Sequence, residues 1–508
     1  MKLNSKKCFY HQSATLDTLC ATLKHSLGID YDLAGYLRLL VFGRILDPAS
    51  KIATASQNDR YLEPLVADAS YPYHVYDVLD VLYEHKEKFI RRMNSNIQKK
   101  LGRNPQRIFY DVTNFFFEIQ RPDDEEEVDG ETVKGLRQKG VSKENRKEPI
   151  VQMGLFLDDQ GIPITIKAFP GNTLDQATLR PALDKSLYNL DFGRYILVAD
   201  RGMCSYKNIA HIVNNGHGYI MSKSIRKSKK DERKWILEPD GYVTVSEDFR
   251  YKSRLMERQV MDADGHKRTI KENIIVYWSR RFYNREYEEH KKFIDFMERL
   301  RQNPASFRIT AVEAGKVRKY FKKEYVNKET GEIIRSGDLL GMLDEEKLEE
   351  LTAYMGYYQL ATSEIEMPPQ EVIETYHGLT RIEDQFRVMK GSLETRPIHV
   401  RTREHISAHL LICVMALIMM RIIQKKIAAC EKAADRKDVL WSYGMSGERL
   451  QEALRLWKAE ALNGELYRFC DTDNEDLKRI LDAFGIAIPR KLYTRGELRK
   501  LKSGIHPM

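Results

Sequence analysis

The sequence predicts an α/β protein: a core of strands with helices on its faces, interrupted by a β-rich insertion and flanked by helical regions at both ends. Three observations carry this expectation. Up to about residue 100, apolar residues recur at three- and four-residue intervals, the period of a helix with one buried face. From Arg107 the texture changes to short β-branched and aromatic runs that alternate with helical stretches, the order that builds a sheet covered by helices. From about Lys223 the alternation breaks, and it resumes only at Tyr357.

Residues 1–104 hold the helical runs LDTLCATLKHSLG, YDLAGYLRLLVFGRIL and YDVLDVLYEHKEKFIRRMNSNIQKKLG, separated by Asp, Gly and Pro breaks and closing on a basic stripe. Such a segment reads equally as a packing or dimerisation module and as a DNA-end-binding domain. Residues 105–224 are the first part of the core. RIFYDVT is a strand, and IVQMGLFLD and PITIKAF form a hairpin across the turn residues Asp159-Gln160-Gly161. A helix over Thr173 to Leu190, the doubly buried strand YILVAD, a helix over Tyr206 to Asn214 and the strand GYIMS follow. Residues 225–350 are the β-rich insertion. It opens on KSIRKSKKDERK and runs through ENIIVYWS and the charged helix YNREYEEHKKFIDFMERLRQ to a hairpin-like stretch at Asn327 and Gly331. Residues 351–425 return to the core with YYQLATS, Pro368-Pro369 and a helix from Gln370 to Lys390. Residues 426–508 are mostly helical and end on the basic tail PRKLYTRGELRKLK, a region suited to dimerisation or DNA contact.

Composition sets outer limits. With 508 residues, 42% of them hydrophobic, the chain can build a sizeable core. The net charge is +9 although Asp123 to Glu131 holds seven acidic residues and no basic one, so the body is basic and carries one acidic loop. The six cysteines show no Cys-x-x-Cys spacing, which argues against zinc or a disulfide framework and suits a reducing cytoplasm. The first residues, MKLNSKKCFYHQ, lack the apolar stretch of a signal peptide. The most apolar run, Leu410 to Met420, is too short to span a bilayer and reads as a core helix.

The chemistry concentrates in three carboxylates. Asp111 ends one strand, in FYDVT, and Asp200 ends another, in VADRG. Pairing those strands would bring the two acids together, where they repel unless a divalent cation lies between them. Oxygen ligands without His or Cys suit Mg2+, with Mn2+ as a substitute. The third acid lies in YHGLTRIEDQFRVMK. On a continuous helix at about 100° per residue, Tyr376, Leu379, Arg387 and Lys390 all fall within about 40° of Glu383. A carboxylate set between cations can complete a two-metal site while Arg387 and Lys390 hold phosphates, although an ordinary Glu383–Arg387 surface pair reads the same way.

On these residues the chain resembles the DDE transposases of bacterial insertion sequences, in the branch with the signature Tyr-x2-Arg-x3-Glu-x6-Lys. The matching positions are Tyr376, Glu383 and Lys390, with Leu379 where the signature has Arg. The stretches SKENRKEPIVQMGLFLDDQGIPI, GNTLD, VADRGM and RPIHVRTREHISAHL support the likeness, which runs from about Phe109 to Arg421. The resemblance implies an RNase H-like core in which two Mg2+ ions are held by Asp111, Asp200 and Glu383. It also implies cleavage and strand transfer at the terminal inverted repeats of a mobile element, by a cut-and-paste route, with a homodimer holding the two ends and the target DNA. The 183 residues between Asp200 and Glu383 then accommodate the insertion. Family members that form a hairpin at the transposon end stack an aromatic ring on a flipped base. Trp278, in VYWSRRFYNRE, is the candidate, and a Trp packed in a β-core is the alternative. His405 and His409 have the spacing of a zincin pair but lack its Glu, so they read as core or polar-face residues. Asn215-Gly216-His217-Gly218 lacks the third glycine of a dinucleotide loop and no Gly-Lys-Ser/Thr occurs, so no nucleotide cofactor is expected.

Overall fold

The computed structural model describes residues 2–3, 6–128, 130–141, 147–261, 265–302, 352–433, 444–462, 466–470, 473–487 and 491–500. The chain divides into two compact units, the first made of residues 1–217 and 377–508, the second of residues 218–376. Strands of the first unit are β1 (Lys2–Leu3), β2 (Arg107–Phe116), β3 (Glu125–Val128), β4 (Glu131–Lys134), β5 (Ile150–Leu157), β6 (Pro163–Pro170) and β7 (Ile196–Ala199). The second unit carries β8 (Gly218–Lys223), β9 (Val243–Ser246), β10 (Phe249–Met261), β11 (Lys267–Ser279) and β12 (Tyr357–Thr362). Back in the first unit come β13 (Lys458–Leu462), β14 (Leu466–Phe469) and β15 (Leu492–Thr494).

The expected α/β architecture is present. In the first unit β2, β5, β6 and β7 lie in the order β6-β5-β2-β7. β2 runs antiparallel to β5, β5 antiparallel to β6, and β2 parallel to β7. Every residue of β5 and β7 is buried, which is why β7 reads as an unbroken apolar run and β5 as one interrupted only by Gln152, without the alternation of a half-exposed strand. The glycine in β5 has a packing reason. Gly154 stands opposite Val112, and a Cβ there would run into the ring of Tyr110.

The β5–β6 turn is the predicted Asp-Gln-Gly corner. Asp158 Oδ1 accepts from the backbone N–H groups of Gln160 and Ile162, both at 2.9 Å, and Gly161 takes φ +74°, a region in which a side chain is strained. Arg103 meets Asp158 at 3.1 Å, with both side chains fully buried.

One helix organises this unit. Arg403–Ala433 packs against helices Leu33–Leu46, His74–Glu84 and Glu475–Ala483 and against β6. It is longer than the eleven-residue run suggested. Its apolar window meets the length and composition of a membrane span, yet 94% of that window is buried inside the protein, as befits a core helix.

The fold departs from the sequence expectation in four places. The helix expected from Gln370 to Lys390 is two helices, Pro369–His377 and Thr380–Lys390, parted at Gly378, the poorest helix former in the stretch apart from proline. The helix expected over Thr173 to Leu190 is regular only at Asp175–Ala182, with Pro181 inside it, and then widens and tightens irregularly up to Leu190. The acidic run is not a plain loop, because β3 and β4 pair as a hairpin beside which Asp123 meets Arg137 at 2.5 Å. The C-terminal region adds a small sheet in the order β1-β13-β14-β15 to its helices.

In the second unit the strands are antiparallel in the order β8-β12-β11-β10-β9, dominated by the long β10–β11 hairpin. Helices Lys230–Leu237 and Arg280–Gln302 accompany them. The hairpin-like stretch at Asn327 and Gly331 lies outside the described residues.

Candidate active site

Two of the three carboxylates are brought together by strand register. β2 and β7 pair from Arg107 with Ile196 to Tyr110 with Ala199, so Asp111 and Asp200 come next in line on two parallel neighbours. Asp200 directly follows β7, whereas Asp111, expected at a strand end, stands midway along β2, which pairs on with β5 as far as Phe116. That puts their backbones roughly one strand spacing apart, about 4.8 Å. The carboxyl edge of parallel strands is where open α/β sheets collect their chemistry. Asp111 is half-buried, and its Oδ1 accepts from the Val112 N–H at 2.7 Å. Asp200 is exposed and precedes a tight turn, its carbonyl accepting from Met203 N–H at 2.9 Å. Beneath them Tyr110 is fully buried and donates to Thr178 Oγ1 at 2.9 Å, and its burial raises the phenol well above the usual range.

Glu383 is exposed in the first turn of helix Thr380–Lys390, which packs on β2 and on the core helix. The helix is fastened from both flanks. On one, Arg381 donates to the Asp159 carbonyl and lies 3.5 Å from the Asp159 carboxylate, while Gln385 Nε2 donates to the Gly161 carbonyl at 3.2 Å. On the other, Arg421 reaches out of the core helix with three donors. Its Nε meets Gln385 Oε1 at 2.6 Å, its Nη1 meets Gln424 Oε1 at 2.8 Å and its Nη2 meets Asp384 Oδ2 at 2.8 Å. Arg421 is 1% exposed, so this guanidinium is a buried tie between the two helices.

The break at Gly378 changes the helix face. Glu383, Arg387 and Lys390 share one helix, whereas Leu379 is its N-cap residue and Tyr376 belongs to the preceding helix, as the last residue of the second unit. Arg387 forms an ion pair with Asp384, not the surface pair with Glu383 that the spacing allowed, and its side chain stays 64% exposed. Lys390 and Tyr376 are half-buried.

All three acids offer carboxylate oxygens, a donor chemistry that fits a hard divalent cation. Their grouping is incomplete: among the described residues no three His, Cys, Asp or Glu side chains are gathered closely enough to hold a metal ion. The structure thus brings Asp111 beside Asp200 and leaves Glu383 on a neighbouring helix.

Trp278 lies in β11, opposite Arg250 of β10 and Tyr357 of β12. It is half-buried and donates from Nε1 to the Met355 carbonyl at 3.2 Å. The guanidinium groups of Arg250 and Arg280 stand 5.3 Å and 5.4 Å from its ring. The pattern continues along alternate residues of β10. Arg250 and Lys252 lie 5.1 Å and 4.3 Å from the Tyr242 ring, and Lys252 and Arg254 lie 4.8 Å and 4.1 Å from the Trp235 ring. His405 and His409 do not share a ligand. His405 meets Asp80 at 3.0 Å, and buried His409 lies 3.0 Å from Lys51 and 3.0 Å from the Thr395 carbonyl.

Arg421, Gln385 and Tyr110, which secure the elements that carry Asp111 and Glu383, were not singled out in the sequence. For Arg421 a signal existed: it is a charge closing an apolar stretch where a solvated residue has no place.

Residues 127–419 match the model of the family described as Transposase DDE domain. Among solved structures the chain is similar to a piggyBac transposase, determined by cryo-electron microscopy as a synaptic complex with hairpin DNA, at 8% identity and a TM-score of 0.34, over 83% of this chain and 70% of that one. No curated protein matches the sequence.

Proposed function

The chain belongs to the transposase DDE domain family, and on that premise we propose that it is a DNA transposase of the bacterial insertion-sequence type, acting in the cytoplasm by a cut-and-paste route. The observation that supports the catalytic reading is the parallel register of β2 and β7, in which Asp111 and Asp200 are the next residues in line after the last paired position. In this reading β6-β5-β2-β7 is the first part of an RNase H-like core and helix Thr380–Lys390 supplies its third acid.

Asp111, Asp200 and Glu383 are the residues that would hold two Mg2+ ions. When bound, such ions supply Lewis acidity toward the attacking and leaving oxygens. The protein's own task is placement. Strand register fixes the two Asp backbones, and the Arg381, Gln385 and Arg421 contacts fix the helix that carries Glu383. Exposed Arg387 and half-buried Lys390 and Tyr376 hold the phosphate backbone. The aromatic face of Trp278 stacks an unpaired base, with Arg250 and Arg280 at its phosphates. The substrates are duplex terminal inverted repeats and a target duplex, held by a homodimer.

At the first step a water oxygen bonds to the phosphorus, the bond to the 3′-oxygen breaks, and a 3′-hydroxyl and a 5′-phosphate result. That hydroxyl then attacks a target phosphorus and displaces the target's own 3′-oxygen. One phosphodiester replaces another, so no nucleotide cofactor is required.

The test is strand transfer of a cut terminal fragment into a target plasmid in Mg2+. Asp111→Ala, Asp200→Ala and Glu383→Ala should each abolish product while DNA binding persists. Near-normal activity in any one of them removes that residue from the site.

A further inference from the structure

Away from the carboxylates, the first unit contains a cavity of about 190 Å3. Its walls come from helix Leu33–Leu46, from residues 48–51, from residues 394–400 and from the core helix. Arg44, Lys51 and His409 line it and are each more than nine-tenths buried, whereas Arg396 is half-buried and Glu394 and His399 are exposed. Five of these six side chains are cations or can become so.

The buried bases are incompletely satisfied. Arg44 donates from Nη1 to the carbonyls of Leu393 and Glu394 at 3.5 Å and 3.3 Å and from Nη2 to that of Ala49 at 3.0 Å, while its buried Nε has no hydrogen-bond partner. Lys51 Nζ lies 3.0 Å from His409 Nδ1, and His409 Nε2 lies 3.0 Å from the Thr395 carbonyl. That carbonyl needs the imidazole proton on Nε2, so Nδ1 accepts one ammonium proton and two remain for another acceptor. Among the described residues neither Arg44 nor Lys51 takes part in an ion pair. Glu394 is exposed and within ion-pair distance of neither, so two buried cations stand without a paired counter-charge, and an anion entering the cavity would reduce that penalty.

We propose that this cavity binds a phosphoryl group, with Arg44 and Lys51 as its inner donors and Arg396 and His399 at its mouth. A phosphoryl dianion matches the donor set better than a carboxylate does, because it brings up to two charges and several oxygens to a guanidinium fork and an ammonium. The volume far exceeds the roughly 10–15 Å3 that one water needs. The affinity of Lys51 for its proton is consistent with this geometry. Burial first, and then the charge of Arg44, push the ammonium down to about 7, a depression that an anion would reverse. The group could be the 5′-phosphate of a DNA end, a backbone phosphodiester or free phosphate, and the proposal does not rest on the catalytic reading.

Calorimetry with the full chain and inorganic phosphate, against chloride at matched ionic strength near pH 6.5, tests it. One phosphate should bind per chain, and both Lys51→Met and the mouth variant Arg396→Gln/His399→Gln should weaken it about tenfold or more. The mouth variant alters side chains that are not buried, so it separates loss of binding from loss of folding. Competition then identifies the source. Displacement by a 5′-phosphorylated duplex but not by its unphosphorylated twin assigns a DNA end, displacement by both assigns a backbone phosphate, and displacement by neither assigns the free ion. No phosphate binding in the wild type, or undiminished binding in both variants, overturns the proposal.

Discussion

Replacing Arg421 by Met isolates the tie that fixes the Glu383 helix. The guanidinium is 1% exposed and feeds three acceptors, Gln385 Oε1 at 2.6 Å, Gln424 Oε1 at 2.8 Å and Asp384 Oδ2 at 2.8 Å. Hydrogen bonds to a charged group contribute about 1.5–3 kcal/mol each, but their sum overstates the loss, because Met also removes the cost of burying the cation. Asp384 keeps Arg387, while the side-chain oxygens of Gln385 and Gln424 lose the donor they share. Breaking one partner of such a buried pair typically destabilises by about 3–5 kcal/mol, and that is the expected loss. Urea unfolding followed by circular dichroism measures it. Arg421→Lys should recover little, since an ammonium cannot reproduce a planar three-donor fork. Strand transfer by Arg421→Met, at a temperature where it stays folded, should also fall. A loss below about 1 kcal/mol, or full recovery by Lys, would refute the view that this contact holds the helix in place.

Two further expectations concern buried charges. Lys51 titrates near 7 in the fold, against about 10.4 when unfolded, so wild-type stability should rise with pH between those values as the buried ammonium is given up. Arg44, Arg396, His399, His409, Glu394 and Cys413 are the titratable and charged groups around it. Lys51→Met should make that rise shallower by up to about 5 kcal/mol in unfolding curves measured at pH 6 and pH 10, the remainder coming from other buried lysines such as Lys86; an unchanged slope would show that Lys51 makes no contribution to it. Arg103→Met strands Asp158, whose carboxyl burial already raises against the pull of Arg103 and two backbone donors. The loss should be about 3 kcal/mol at neutral pH and should shrink as the pH falls, because a protonated Asp158 no longer needs a counter-charge; a loss that does not change with pH would contradict this.

The strands around the carboxylates were legible because they are short runs rich in β-branched and aromatic residues bounded by turn residues, and in β5 and β7 because burial on both faces suppresses alternation. RIFYDVT, IVQMGLFLD, PITIKAF and YILVAD all became strands, and the Asp-Gln-Gly corner joined the middle two. Pairing of the two Asp strands was legible only as a possibility, since register is a long-range outcome that neither strand encodes alone. The helix face around Glu383 was half right. Projecting it as one continuous helix ignored Gly378, and the break removed Tyr376 from the face. The burial of Arg421 was hinted at by its place at the end of an apolar run, but its partners were not legible, because they lie up to 37 positions away and nothing in the sequence pairs them with it. β13, β14 and β15 were missed because strands of three to five residues carry too few alternations to stand out from helical neighbours.

The first unit is discontinuous, and this orders its birth on the ribosome. Asp111 and Asp200 emerge early, but Glu383, the core helix and β13, to which β1 pairs, emerge only after the whole second unit has been made. At roughly 5–20 residues per second, the 183 residues from Asp200 to Glu383 impose a delay of roughly 10–40 s. During that interval the nascent chain has two of its acids but neither the third nor the helix that buries the apolar faces around them. A polypeptide stopped anywhere in that interval therefore lacks the third acid of the proposed site and the helix that carries it.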